Sequence, residues 1–106
     1  MRIITNEVWD VETSGEKVMV LSKGGKGDVV TSDLYIRLLD DASLTVTGFV
    51  GEDDEEGVKL AAIDMGGLSK VDDVTSAGNY DFSVSSYEKV KLEVEGSAKL
   101  ILKTLY

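Results

Sequence analysis

Tyr87-Glu88-Lys89-Val90-Lys91-Leu92-Glu93-Val94-Glu95 is the stretch that decides the fold class. Val90, Leu92 and Val94 share one parity, and Lys89, Lys91, Glu93 and Glu95 share the other. Successive side chains of a strand point to opposite faces, so this segment has one apolar and one charged face. A short turn at Glu95-Gly96-Ser97 follows. Ala98, Leu100 and Leu102 then resume the apolar face opposite Lys99, Ile101 and Lys103. Together the two runs predict a β-hairpin.

Working outwards, the same period of two recurs. Tyr80, Phe82 and Val84 alternate with Asp81 and Ser83, and Leu44, Val46 and Gly48 with Thr45, Thr47 and Phe49. Leu34, Ile36 and Leu38 alternate with Tyr35, Arg37 and Leu39; Leu34, Leu38 and Ala42 also suit a helical turn, but the flanks favour a strand. Val58, Leu60 and Ala62 form a short run. Val18 and Val20 oppose Met19 and Leu21, and Ile3, Ile4, Val8, Trp9 and Val11 fill an N-terminal extended stretch. Turn signals separate these runs at Ser14-Gly15, residues 23–28, Asp40-Asp41, residues 51–57, Met65-Gly66-Gly67 and Ala77-Gly78-Asn79. Leu68 to Val74 suits a brief 3₁₀ or helical turn. The expectation is an all-β, antiparallel β-sandwich of seven or eight short strands, jelly-roll-like or Ig-like, with a barrel as the alternative closure.

Composition sets further bounds. The chain has 106 residues, which predicts a single domain over 1–106. That length buries about 65% of the unfolded surface, enough for one core. It has no cysteine, so neither a disulfide nor a thiolate metal site is available. It has no histidine, which removes the commonest general base and metal ligand. Net charge is −9, which argues against nucleic acid and anionic membranes as partners. The opening Met1-Arg2-Ile3-Ile4-Thr5-Asn6-Glu7 lacks the apolar core of a signal peptide, and no apolar run approaches the roughly 20 residues of a membrane span.

Five carboxylates, Glu52, Asp53, Asp54, Glu55 and Glu56, stand in a row between two predicted strands. They are weak candidates for a hard cation such as calcium. They lack the spaced D-x-D-x-D-G pattern of a calcium loop, and a solvated hairpin tip accounts for them. Lys23-Gly24-Gly25-Lys26-Gly27-Asp28 lacks the Lys-Ser or Lys-Thr and the following helix of a phosphate loop; its Lys26-Gly27-Asp28 matches an adhesion tripeptide that chance easily supplies. Asp40-Asp41 and Asp72-Asp73 are adjacent acids, and adjacent strand residues face opposite ways, so they read as turn formers rather than catalytic dyads. Ser83, Ser85 and Ser86 have no base to activate them. No cofactor and no enzymatic activity are expected.

Trp9, Tyr35, Phe49, Tyr80, Tyr87 and Tyr106 are the notable aromatics; Tyr80 and Phe82 suit the core. Phe49, Ile101 and Leu105 fall on the more polar faces of their strands. With Trp9 they are the candidate interface residues, since apolar groups on both faces imply that both are covered.

The C-terminal half runs Ala77-Gly78-Asn79-Tyr80-Asp81-Phe82-Ser83-Val84, then Ser86-Tyr87-Glu88-Lys89-Val90-Lys91-Leu92-Glu93-Val94, a turn and a closing strand. Over residues 57–105 this resembles small β-sandwich modules of tailed-bacteriophage structural proteins, found in capsid-attached, head-fibre and tail components. The resemblance implies a non-enzymatic virion protein, made in a bacterial host's cytoplasm and carried as repeated copies on capsid, neck or tail. Its partners would be itself, as a dimer or trimer, and other virion proteins. The alternative is a carbohydrate-binding or adhesion module meeting a host surface glycan, with Trp9 and Tyr35 as stacking platforms.

Overall fold

The computed structural model describes residues 3–21 and 31–105. The glycine-rich run 23–28 and Tyr106 lie outside the described residues. Ten strands follow in chain order: β1 (Ile3–Val11), β2 (Ser14–Val20), β3 (Asp33–Leu38), β4 (Ser43–Phe49), β5 (Val58–Lys59), β6 (Ala62–Asp64), β7 (Ser69–Val71), β8 (Gly78–Ser83), β9 (Lys89–Glu95) and β10 (Ala98–Leu105). They form two antiparallel sheets packed as a sandwich. The larger has the order β1-β10-β3-β8-β6-β7 and the smaller β2-β9-β4-β5.

The apolar parities read from the sequence face each other across this sandwich. Leu34, Ile36 and Leu38 of β3, Phe82 of β8, and Leu100 and Leu102 of β10 are buried against Val46 of β4 and Val90, Leu92 and Val94 of β9. Met19 and Leu21 turn inwards while Val18 and Val20 face out, as their parity dictates. Two core-edge polar groups are satisfied by backbone carbonyls: Thr31 donates to Leu21 at 3.0 Å, and Tyr80 to Ser76 at 2.7 Å.

The expected hairpin between β9 and β10 does not form. β9 pairs with β2 and β4 in the smaller sheet, whereas β10 pairs with β1 and β3 in the larger. The connection at Gly96-Ser97 is an arch that carries the chain from one sheet to the other, with Gly96 at a φ of 107°, a region that L side chains rarely adopt. Inward alternation on both strands is satisfied equally by a hairpin and by an arch, because the two apolar faces meet either way.

Most other connections cross in the same manner. Glu12-Thr13 link β1 to β2, which moves the turn expected at Ser14-Gly15 two residues earlier; residues 39–42 link β3 to β4. The run Val58-Leu60-Ala62 is not one strand. β5 lies in the smaller sheet and β6 in the larger, and Leu60 and Ala61 pass between them. Residues 68–74 hold strand β7 rather than a helical turn; Leu68 has a φ of 54° where the β6–β7 hairpin reverses. The splitting of this region accounts for ten strands instead of seven or eight.

Setting β6 and β7 aside, the orders β1-β10-β3-β8 and β2-β9-β4-β5 are those of an eight-stranded jelly roll. The β6–β7 hairpin extends the larger sheet at one edge. The opposite edges, β1 and β2, come together. Glu7 of β1 and Lys17 of β2 form an ion pair at 3.3 Å, and Trp9 packs over Gly15, where an added Cβ would lie 3.2 Å from the indole.

Candidate interaction surface

The outer face of the larger sheet carries the most varied chemistry among the described residues. Cross-strand register places Asn6, Lys103, Tyr35, Asp81 and Ile63 in one row across β1, β10, β3, β8 and β6. The next row holds Val8, Ile101, Arg37 and Asn79. These are the outward parities of strands whose inward residues fill the core, so the sheet presents them without further folding.

Between the rows lies a shallow hollow of about 360 Å³, lined by Tyr35, Arg37, Met65, Asn79, Ile101 and Lys103 and floored by Ile36 and Tyr80. Met65 is set there by the β6–β7 turn, where its N–H donates to the Asn79 carbonyl at 2.9 Å. Val8, Ile63 and Met65 are exposed apolar groups around it. Neither Arg37 nor Lys103 forms an ion pair among the described residues. The hollow on the smaller sheet is different: Glu16, Glu93 and Glu95 line it together with Ser14, Ser43 and Thr45.

Beside the first hollow, Asp81 of β8 meets Asp33 of β3. Burial, the charge of Asp33 and a hydrogen bond between the two carboxyls push the Asp81 pKa up to about 6. Its Oδ1 is buried with no hydrogen-bond partner among the described residues. Ser32 Oγ donates to Asp33 Oδ2 at 2.9 Å. Burial and the same two carboxylates raise the Tyr35 pKa. This pair was not anticipated from the sequence, where only adjacent acids suggested themselves. Asp33 and Asp81 are 48 residues apart, and only the β3–β8 pairing joins them.

The adjacent acids serve as fasteners. Asp40 Oδ2 accepts from the Lys99 N–H at 3.1 Å, and Asp41 Oδ1 from the Ala77 N–H at 2.8 Å, so the β3–β4 arch is tied to β10 and to the loop before β8. Asp72 and Asp73 pair with Lys70 and Lys59 at the surface.

In the acidic run, Glu52, Asp53, Glu55 and Glu56 are exposed at the β4–β5 tip. Asp54 instead accepts from the Val50 N–H at 3.1 Å and the Gly57 N–H at 2.9 Å, and these two bonds lower its pKa. The carboxylate that would centre a cation site is thus spent on the turn. No group of three or more acidic side chains is placed to hold a metal among the described residues.

Two of the four interface candidates are covered by their own chain. Phe49 is 8% exposed and Leu105 5%, although both lie outside the central core cluster, as their parity predicted. Phe49 sits beside Gly57 with the Lys89 ammonium 5.2 Å from its ring centroid. Ile101 is half-buried and lines the hollow. Trp9 is half-buried on the inner side of the larger sheet, where the β1 and β2 edges meet. Tyr35 faces outwards, so Trp9 and Tyr35 lie on opposite faces of one sheet and do not form a common stacking platform.

The fold and this surface define a small jelly-roll β-sandwich with a mixed apolar and charged outer face. No protein-family model matches the chain, and no curated protein matches it. Among solved structures, the crystal structure of the SPBc2 prophage-derived protein YomS is similar, with a TM-score of 0.65 over 95% of this chain and 94% of that one. Sequence identity is 13%, so the likeness is one of fold. In fold, then, the chain resembles a prophage-derived protein.

Proposed function

We propose that this protein is a non-enzymatic structural or accessory component of a bacteriophage particle, present in repeated copies on capsid, neck or tail. The observation that carries the reading is the fold likeness to a prophage-derived protein along nearly the whole of both chains. It agrees with the resemblance of residues 57–105 to tailed-phage modules. The surface supports it as well. A jelly roll whose outer face exposes Val8, Ile63 and Met65 among charged and polar groups is suited to contact with neighbours, and repetition multiplies contacts that are individually weak. Its partners are then copies of itself and other virion proteins.

Quantitative mass spectrometry of purified particles, from a lysate of cells encoding this chain, tests the reading. The chain should appear at a fixed multiple relative to the major capsid protein and persist through density-gradient washing. Its confinement to the soluble lysate fraction would refute the assignment.

A further inference from the structure

We propose that the hollow on the outer face of the larger sheet receives the acidic β4–β5 tip of a second copy of this chain, joining copies head to tail. The proposal deepens the repeated-copy reading and rests on it.

Three observations converge. First, the hollow presents two cations, Arg37 and Lys103, that form no ion pair among the described residues, in a chain with 20 acidic and only 11 basic residues. The lining itself holds these two cations and no carboxylate, while the Asp33–Asp81 pair flanks it on the β8 side, so the positive spot is confined to the Arg37–Lys103 side of the hollow and an incoming anion is directed there. Second, the tip is a preformed anionic knob. Asp54 locks its backbone through Val50 and Gly57, so Glu52, Asp53, Glu55 and Glu56 are presented with little further ordering to lose on binding. Third, the knob has an apolar base that matches the hollow. Val50 and Val58 flank the tip at 58% and 48% exposure, and Tyr35, Met65 and Ile101 line the hollow.

The placement fixes the symmetry. The tip joins two strands of the smaller sheet, and the hollow lies on the outer face of the larger. Donor and acceptor are different surfaces, so the contact is heterologous and propagates into a closed ring or an open file. Copies with a charge of −9 repel at long range, but screening confines that repulsion to about 8 Å at physiological salt, leaving the local pairing to decide. A single tip in a shallow hollow is a small interface, weak alone and effective in an array.

The test is sedimentation equilibrium of the full chain from micromolar to millimolar concentration at physiological salt. The weight-average mass should rise with concentration. Arg37→Glu with Lys103→Glu should weaken association at least tenfold, and so should Glu52→Lys with Glu55→Lys and Glu56→Lys. Mixing the two charge-reversed proteins should restore it, since each then offers the other a complementary knob and hollow. Circular dichroism melts confirm that both variants fold. Variants that associate like the wild type would overturn the contact and leave the repeated-copy reading standing. A wild-type chain monomeric throughout would also overturn it, and the particle mass spectrometry would judge the broader reading separately. Saturable binding of polygalacturonate to a monomeric wild type, lost with Arg37→Glu, would likewise overturn it and assign the hollow to an acidic glycan.

Discussion

Replacing Asp81 by Asn should stabilise this protein at neutral pH. The Asp81 carboxyl rises from 3.8 to about 6 on folding because it is partly buried beside Asp33. The folded state therefore holds a proton that the unfolded chain has released between those two pH values. Stability is greatest below the unfolded value near 3.8 and is lost as pH rises through about 6. At face value the difference is worth about 3 kcal/mol at pH 7. The side chain is only half-buried, and solvent screens the repulsion, so about 1 kcal/mol is the expected size. Asn keeps the shape, removes the charge and offers Asp33 an N–H donor. Urea denaturation followed through Trp9, the single tryptophan, measures the effect. At pH 7 Asp81→Asn should be more stable by about 1 kcal/mol, which raises Tm by roughly 4 °C. Below pH 4 the two proteins should converge. Other carboxylates titrate in both proteins, so the quantity read is the difference between them. A variant no more stable than wild type at pH 7, with an unchanged pH slope, would refute the reasoning.

Two further outcomes follow from packing. A Cβ added to Gly48 would lie 2.6 Å from the Tyr87 ring, so Gly48→Ala should cost about 2 kcal/mol in urea titrations, while Gly51→Ala, with nothing within 4 Å, should leave the midpoint unchanged. Phe49 is buried within its own chain, so Phe49→Ala should lower the stability of the isolated chain by about 3 kcal/mol, measured at concentrations too low for association.

How much of the fold could be read in advance depends on which physical signal each feature leaves. Parity is local, and it placed Leu34, Ile36, Leu38, Val90, Leu92, Val94, Leu100 and Leu102 inside correctly. Pairing is not local. Among the described strands only β4–β5 and β6–β7 are sequence neighbours that also pair as hairpins. The arch at Gly96 shows why the strongest local pattern misled. An apolar strand, a glycine turn and a second apolar strand specify that two faces meet, and a sandwich can satisfy this by folding the second strand over the core. Residues 58–64 misled for a related reason. Val58, Leu60 and Ala62 keep one parity, yet Val58 is exposed and Ala62 is fully buried, because the chain leaves one sheet and enters the other between them.

The surface was legible only in fragments, and the physical reason is the same. Ile101 stood out because an apolar residue interrupted a polar parity, and it does line the hollow. Phe49 and Leu105 gave the same signal for another cause, burial outside the main core by their own chain. Parity reports which side of a sheet a residue occupies, but not whether a loop from the same chain covers that side. Arg37, Lys103 and Asn79 carried no signal at all, since isolated polar residues at outward positions are what any exposed strand contains. They become a site only because β10 lies between β1 and β3, and β8 beyond β3, so residues from three distant parts of the sequence share two rows. The same pairings that hid the site from local reading also make it rigid. Each of its strand residues stands on a strand bonded on both sides, so the hollow is already formed before anything enters it.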